Sequence, residues 1–183
     1  GRWGVRRRDY LQNLYRRRSA NGVFSSNLQL HQIWAWPYRA DVTDLFDRAL
    51  VIYLVRPDKV CQAASLAASM LTGNYGFMAE RQPRSYTERR MRKVAGQAIQ
   101  IIENEDRNWP PFFAGRGITP LSVTSGQVNR EDETLITEIS ARLDFRFDQA
   151  GLREMLRLDT GPYPVDRELK TRLQAIVKEL RKE

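Results

Sequence analysis

The sequence predicts an α/β fold with a parallel sheet, and three observations support this prediction. Residues 49–55 form a continuous apolar run of strand composition, which is typical of a central strand covered by helices on both faces. A helical pattern over residues 58–71 follows it directly. Further along the chain, segments with strand periodicity and helix periodicity alternate, as they do in proteins built from strand–helix–strand units.

In the first half of the chain, residue patterns predict three helices and two strands, including the apolar run 49–55. Residues 5–18 have an amphipathic helical pattern. Residues 23–30 are predicted to form a strand of mixed polarity near a sheet edge, and residues 41–48 a short helix. In helix 58–71, Pro57 is expected in the first turn, where a missing N–H costs nothing, and alanines 63, 64, 67 and 68 give a face of small residues that allows close approach to the sheet.

The second half begins with a loop over residues 72–85, which contain Gly73, Gly76 and Pro83. The i, i+3, i+4 spacing of apolar residues predicts a long helix over 87–108, which the two prolines 110 and 111 are expected to end. Alternation of apolar and polar residues predicts a short strand over 120–124. Asn129 is expected to cap another helix. Residues 165–180 have the pattern of a last amphipathic helix. We predict one domain over residues 1–183.

Composition excludes several classes of protein. No run approaches the ~18 apolar residues of a membrane span, and no signal-peptide pattern is present. The single cysteine, Cys61, cannot form an internal disulfide, and a reduced, cytoplasmic location is therefore expected. One histidine and one cysteine cannot build a His/Cys zinc site, and no carboxylate cluster suggests another metal, so no metal is predicted.

The net charge of +8 is concentrated in two basic zones. Residues 1–20 hold seven arginines and one acidic residue, and residues 81–93 hold six basic residues and one acidic residue. Such zones indicate an anionic partner, which could be nucleic acid, a phosphorylated cofactor or a lipid headgroup. The alternative is that these arginine-rich helix faces are simply solvated.

One cation lies where a ligand is expected. Arg56 follows the apolar run 49–55 and precedes helix 58–71, so it is placed at the carboxyl end of the predicted central strand, the edge at which open α/β sheets bind ligands. A guanidinium beside helix-start amides suits a phosphate; the alternative is a solvated arginine that closes a structural turn. No glycine-rich phosphate motif and no nucleophile elbow occurs.

Four segments, in one order, resemble the bacterial trehalose-type (Stf) sulfotransferases: residues 8–11, residues 18–24, residues 56–65, and Gln97 with residues 108–109. The most specific is R-P-D…Q-A-x-S, within 56–65. The resemblance runs over most of the chain. It implies an α/β fold related to nucleotide kinases, with a P-loop-like sheet. It also implies transfer of a sulfuryl group from 3′-phosphoadenosine 5′-phosphosulfate (PAPS) to a carbohydrate hydroxyl, typically of a sugar such as trehalose.

The resemblance also implies site residues. The Arg and Ser of the R-P-D…S block bind the 3′-phosphate of the cofactor in this family, and here they are Arg56 and Ser65. The Asn-Gly-Val-aromatic block is usually followed by two residues and a lysine next to the acceptor; here the lysine position holds Asn27. Apart from the resemblance, His31 at the end of the predicted strand 23–30 is a candidate for the catalytic base; the alternative is a structural histidine. The other catalytic residues are not identified.

This chain has no segment matching the strand and Ser/Arg/Gly/Thr loop that hold the 5′-phosphosulfate in the family. We therefore expect an N-terminally truncated sulfotransferase-like domain without its first strand and phosphate loop, inactive by itself and prone to form homo-oligomers. Two alternatives stay open. One is a non-catalytic adenosine-phosphate-binding or assembly module. The other is a basic nucleic-acid-binding protein using residues 1–18 and 81–93, which ranks last because no base-reading motif is present.

Overall fold

The computed structural model describes residues 13, 16, 17, 19, 24–30, 33, 46, 49–73, 85–129, 133–144 and 167–182. The chain divides into two compact units, Gly1–Ala49 and Leu50–Glu183. Each unit is described by itself, and one domain over the whole chain stays a prediction. The loop predicted over 72–85 lies mostly outside the described residues, as does most of the helix predicted over 41–48.

The described part of the first unit is helical or irregular. Asn13, Arg16 and Arg17 are helical, and the other residues of the predicted helix 5–18 lie outside the described part. Residues 24–29 form neither helix nor strand, so the strand predicted over 23–30 is wrong. Leu30 and Ile33 are helical and fully buried. Their i, i+3 spacing puts both side chains on one helix face, a pattern that the strand interpretation overlooked.

The described part of the second unit holds a pair of strands and five helices. They are β1 (Ile52–Val55), α1 (Lys59–Thr72), α2 (Glu88–Gly115), β2 (Leu121–Thr124), α3 (Ser125–Asn129), α4 (Glu133–Leu143) and α5 (Arg167–Leu180). The two strands are parallel, with Ile52 opposite Leu121 and Val55 opposite Thr124. The predicted α/β class with a parallel sheet is confirmed, although the described chain is mostly helical and the sheet is small.

Strand β1 is covered on one face only. Tyr53 and Val55 are half-buried, whereas Ile52 is 45% exposed and Leu54 58% exposed. The prediction of a strand buried on both faces is therefore wrong for one face. The reason is that the alanine face of α1, which we expected against the sheet, packs against helices instead.

The core of this unit lies between α1, α2 and α5. The four alanines at 63, 64, 67 and 68 are at most 3% exposed and share one cluster with Met91, Ala95 and Ala98 of α2 and with Leu173 and Val177 of α5. Small side chains let helix axes approach closely, and the larger side chains of α2 and α5 fill the remaining space. Full burial of a side chain such as Leu173 contributes about 1.5–3 kcal/mol to folding.

Capping groups define both ends of α1. At its start, Asp58 Oδ1 accepts a hydrogen bond of 2.8 Å from the Cys61 N–H. Pro57 therefore precedes the cap, whereas the sequence placed it in the first turn. At its end, Gly73 is left-handed with φ 70°, and its N–H donates to the Ser69 carbonyl at 2.8 Å. This is the conformation in which glycine commonly ends a helix.

Helix α2 continues through Pro110 and Pro111 to Gly115, so the prediction that the prolines end it is wrong. Each proline removes one i→i−4 hydrogen bond, and ring packing holds the last turns in place. Trp109 stacks on Phe113 with centroids 5.0 Å apart, and Phe113 meets the ring of Tyr53 in β1 edge-on at 5.5 Å. With Phe112, 5.5 Å from Trp109, these residues form the aromatic cluster that joins α2 to the sheet.

The remaining elements differ from prediction only at their ends, except for α3. The predicted strand 120–124 is β2, and the helix predicted over 165–180 is α5. The helix predicted after Asn129 is α4, but it begins at Glu133 and Asn129 is the last residue of α3, so the prediction that Asn129 caps α4 is wrong. Helix α3, which was not predicted, starts at a reciprocal cap. Gln127 Oε1 accepts from the Thr124 N–H at 2.9 Å, and Thr124 Oγ1 accepts from the Gln127 N–H at 3.3 Å. Within the described chain, no helix is long and apolar enough to span a membrane.

Candidate functional site

The candidate site is the carboxyl edge of the two-stranded sheet. Because β1 and β2 are parallel and Val55 is opposite Thr124, both strands end at the same edge. Arg56 follows β1 directly and is exposed. Of the carboxylates in the described part of the chain, none forms an ion pair with Arg56. The edge therefore carries a cation that is available to an anionic ligand.

The chain itself uses part of the anion-binding capacity of this edge. The Asp58 carboxylate accepts from the Cys61 N–H at 2.8 Å, so one helix-start amide is already bonded. Its negative charge also offsets the positive end of the α1 dipole. The helix-start amides that we expected beside the phosphate are thus partly occupied, which leaves Arg56 as the main attraction for an anion at the end of β1.

A second cation at the edge is committed to an ion pair. Lys59 Nζ lies 2.8 Å from Asp106 Oδ1 and 2.7 Å from Asp106 Oδ2, which ties the first turn of α1 to α2. Burial, followed by the negative charges of Asp106 and Glu105, raises the pKa of the Tyr53 hydroxyl above its ordinary value. Tyr53 therefore stays neutral at physiological pH. The neighbouring Lys59–Asp106 ion pair holds the turn that carries Arg56.

Ser65 lies on the side of α1 that faces away from the helical core. It follows the cap Asp58 by seven residues, about 10 Å along the helix axis, and lies about 130° around the axis from the centre of the buried alanine face. Ser65 is half-buried. The structure therefore places Arg56 and Ser65 on consecutive parts of one β1–α1 unit, and their role as ligands stays a prediction.

Gln62 shares this side of α1 and lies one turn closer to Arg56. The residue is half-buried, but its Oε1 is fully buried and accepts no hydrogen bond. Positions i and i+3 of a helix are neighbours on its surface, so Gln62 and Ser65 together form what we call the outer face of α1. Sequence reasoning used Gln62 only as part of a motif, because a pattern of residue types does not show which amide will be buried.

The two acceptor-side candidates belong to the first unit. Asn27 is exposed in the irregular segment 24–29. His31 lies outside the described residues. Their predicted roles near an acceptor stay predictions. In the described part of the chain, no group of three or more His, Cys, Asp or Glu side chains is arranged to hold a metal ion.

The basic zone 81–93, described from Ser85 onward, lies at the start of α2. There Arg92 donates to Glu88 at 3.1 Å and to Glu179 of α5 at 2.8 Å, and hydrogen bonds to Glu179 and Glu88 raise the pKa of Arg92 above its ordinary value. The Glu179 contact brings the start of α2 beside the end of α5. We call the resulting surface the basic end; its exposed members are Arg89, Arg90, Lys93, Lys178, Arg181 and Lys182.

The basic end and the sheet edge are separate surfaces. The Tyr86 hydroxyl, just before α2, donates to the Leu71 carbonyl at 3.0 Å, which places the start of α2 at the carboxyl end of α1. Arg56 lies before the other end of α1. Since α1 has 14 residues, the two surfaces are about 20 Å apart along its axis.

Comparison with models of protein families gives a match over most of the chain. The family model described as Stf0 sulphotransferase matches residues 18–158, which include both strands, the whole β1–α1 unit and every candidate site residue. No curated protein and no solved structure matches the chain.

Proposed function

Since the chain belongs to the Stf0 sulphotransferase family, as the R-P-D…Q-A-x-S resemblance predicted, we propose that it serves sulfuryl transfer from PAPS to a carbohydrate hydroxyl of the trehalose type. Family membership implies sulfotransferase activity. The observation that supports the nucleotide donor is the position of Arg56, exposed and without a described carboxylate partner at the carboxyl end of a parallel strand. The proposal includes a nucleotide-kinase-like fold and a cytoplasmic location.

The residues present suit the 3′-phosphate of the donor. A guanidinium can bind two phosphate oxygens at once through parallel hydrogen bonds. Arg56 supplies this group, and the Ser65 hydroxyl on the outer face of α1 supplies a further donor. Asp58 does not oppose the phosphate fully, because its carboxylate is directed to the Cys61 N–H.

When bound, PAPS supplies the sulfuryl group, and the residues of this chain bind and orient the nucleotide. Arg56 and Ser65 hold the 3′-phosphate. The Lys59–Asp106 pair and the aromatic cluster fix the ends of the turn that carries Arg56, so that the guanidinium is positioned before the ligand arrives. Preorganisation of this kind lowers the entropic cost of binding.

The test is calorimetric titration with adenosine 3′,5′-bisphosphate. We expect binding that is no tighter than micromolar, and a loss of at least about tenfold in Arg56→Ala, because a hydrogen bond to a charged group contributes about 1.5–3 kcal/mol. Arg89→Ala, at the basic end, is the matched control and should change the affinity less than about twofold. Binding that survives Arg56→Ala unchanged, or no binding by the wild type, contradicts the proposal.

A transfer assay separates an enzyme from the non-catalytic binding module. Trehalose and PAPS are incubated with the 183-residue chain, and sulfated product is measured by mass spectrometry. We expect nucleotide binding without transfer from the chain alone, because none of its residues matches the family's 5′-phosphosulfate loop. Sulfated trehalose from the chain alone shows that this expectation is wrong and that the transfer machinery lies within these residues.

A further inference from the structure

We infer that the basic end binds the phosphate backbone of a nucleic-acid duplex, without reading its sequence, at a site separate from the sheet edge. This inference goes beyond the proposed function and does not depend on it. The basic end is built from α2 and α5 and lies about 20 Å from Arg56 along α1.

The first observation is that cations from two helices form one surface. The Arg92 guanidinium donates to Glu88 at 3.1 Å and to Glu179 of α5 at 2.8 Å, so it pairs with the two described carboxylates at this end. The six exposed cations of the basic end form no ion pair with a described carboxylate. Seven cations and two glutamates give this described surface a net charge of +5.

The second observation is that the cations of α2 are placed unfavourably for the helix itself. Arg89 and Arg90 lie in the first turn of α2, where the helix dipole disfavours further positive charge. Arg89 and Lys93 are an i, i+4 pair of like charge, which destabilises a helix. Each is two positions from the buried Met91, about 160° around the axis and away from the core. An anionic ligand accounts for charges that folding does not require.

The arrangement of the cations fits a duplex backbone. Lys178 and Lys182 form a corresponding i, i+4 pair of exposed cations on α5. The axes of packed helices are about 8–10 Å apart, so the pairs on α2 and α5 form two rows at roughly that separation. The grooves of B-DNA are about 6 and 12 Å wide, so long side chains from two such rows can reach phosphates on both strands.

The chemistry of the surface favours a duplex over other anionic partners. The large exposed apolar side chains of the described chain all lie elsewhere, whereas stable membrane attachment needs a second, apolar signal and protein interfaces have an apolar core. Single strands bind by stacking on aromatic rings. The described aromatic residue at this surface, Tyr86, is half-buried, its hydroxyl donates to the Leu71 carbonyl, and the Arg90 guanidinium lies 5.7 Å from its ring centre.

The first test is fluorescence anisotropy of the 183-residue chain with a short labelled DNA duplex. Arg89→Gln with Lys93→Gln, and Lys178→Gln with Lys182→Gln, should each weaken binding at least about tenfold at about 50 mM salt. Each pair should also reduce the slope of log affinity against log salt by about 1–2, because one phosphate contact contributes about 0.9. Lys178→Arg with Lys182→Arg should keep the affinity, because the charges remain.

The matched control is Arg107→Gln with Arg167→Gln, which removes two exposed cations from other parts of the same two helices. It should change the affinity less than about threefold. Losses equal to those of the basic-end pairs overturn the inference, because they show that diffuse net charge binds the duplex. No duplex binding by the wild type, tighter binding of a single strand of the same sequence, or sedimentation with phosphatidylserine vesicles in place of duplex binding also overturns it.

The second test separates the basic end from the sheet edge and from a structural role. Saturating adenosine 3′,5′-bisphosphate should leave the duplex bound, and displacement of the duplex overturns the assignment of a separate site. Arg89→Gln with Lys93→Gln should leave the melting temperature unchanged or raise it by about 1–3 °C. A fall in the melting temperature overturns the inference, because it shows that these cations stabilise the fold.

Discussion

Arg56 and Asp58 are two positions apart, yet they affect an anion in opposite ways. Asp58 uses its carboxylate to cap α1, which stabilises the helix by about 1 kcal/mol and partly neutralises its positive end. Arg56 has no described carboxylate partner. If the sheet edge binds a phosphate, the main attraction is the single exposed guanidinium of Arg56, and we expect binding to depend on that side chain more than on the helix.

Tyr53 gives a prediction about pH. Its pKa in the folded chain is raised, by burial first and then by Asp106 and Glu105. The protonated hydroxyl therefore contributes stability that is fully present below the unfolded pKa of about 10 and is lost as the pH rises through the higher folded value. We expect the free energy of unfolding, measured with urea, to fall as the pH rises above about 10, and to fall less in Tyr53→Phe. An equal fall in both proteins contradicts the prediction.

At the scale of elements, periodicity predicted the helices that form the core. Apolar residues at i, i+3 and i+4 mark α2 and α5 to within a few residues at most ends. The exceptions have physical causes. Residues 23–30 have strand-like composition, but burial of Leu30 and Ile33 follows helical spacing. Residue propensity also predicted that α2 ends at its prolines. The helix stays intact because its last turns pack in the aromatic cluster, which joins residues distant in sequence.

The candidate site, like the fold, could be predicted from the sequence only in part. Arg56 was predictable because an apolar strand followed by a helix places the intervening residue at the carboxyl edge of a sheet. Gln62 was not, since burial of one amide depends on how the whole unit folds. The alanine face of α1 was recognised from the sequence, but its partner was misjudged. A face of small residues predicts a close approach without indicating whether a sheet or a helix makes it.

The alanine face gives a prediction about stability. Ala67 is 0% exposed in the core between α1, α2 and α5. Because no space is available for three more carbon atoms, Ala67→Leu should lower the free energy of unfolding by about 1–3 kcal/mol. Ala175→Leu, at an exposed position of α5, makes the same chemical change and should stay within about 0.5 kcal/mol of the wild type. If urea denaturation gives equal effects for the two variants, this helix contact has been assigned wrongly.

At the scale of the whole molecule, the net charge of +8 makes binding to polyanions a general property. We expect the chain to bind DNA without sequence preference, with an affinity that falls steeply with salt because each neutralised phosphate releases counterions. Reversing the charges of Lys178, Arg181 and Lys182 should weaken this binding, and so should reversing the two arginine triplets at residues 6–8 and 16–18. Fluorescence anisotropy with a labelled duplex measures the effect.

The same variants separate diffuse charge from a positioned ligand. Charge reversal at the basic end, about 20 Å from the sheet edge along α1, should change the affinity for adenosine 3′,5′-bisphosphate less than about threefold. Arg56→Ala should have the opposite profile, with nucleotide binding lost and DNA binding kept. Nucleotide binding that survives Arg56→Ala but disappears on charge reversal would favour the nucleic-acid hypothesis over the sulfotransferase site.

The proline pair in α2 has a further consequence for motion. Residues of α2 up to Ile102 pack in the helical core, and those from Trp109 onward pack on the sheet, while the helix lacks two backbone hydrogen bonds near this boundary. Because hydrogen bonds are missing there, the segment of α2 on one side of this boundary can unfold locally while the segment on the other side stays folded. The helix therefore spans two cooperative folding units. Local opening on the sheet side would release β1, which ends at Val55, while the three-helix core stays intact, so the edge that carries Arg56 can fluctuate without unfolding of the core.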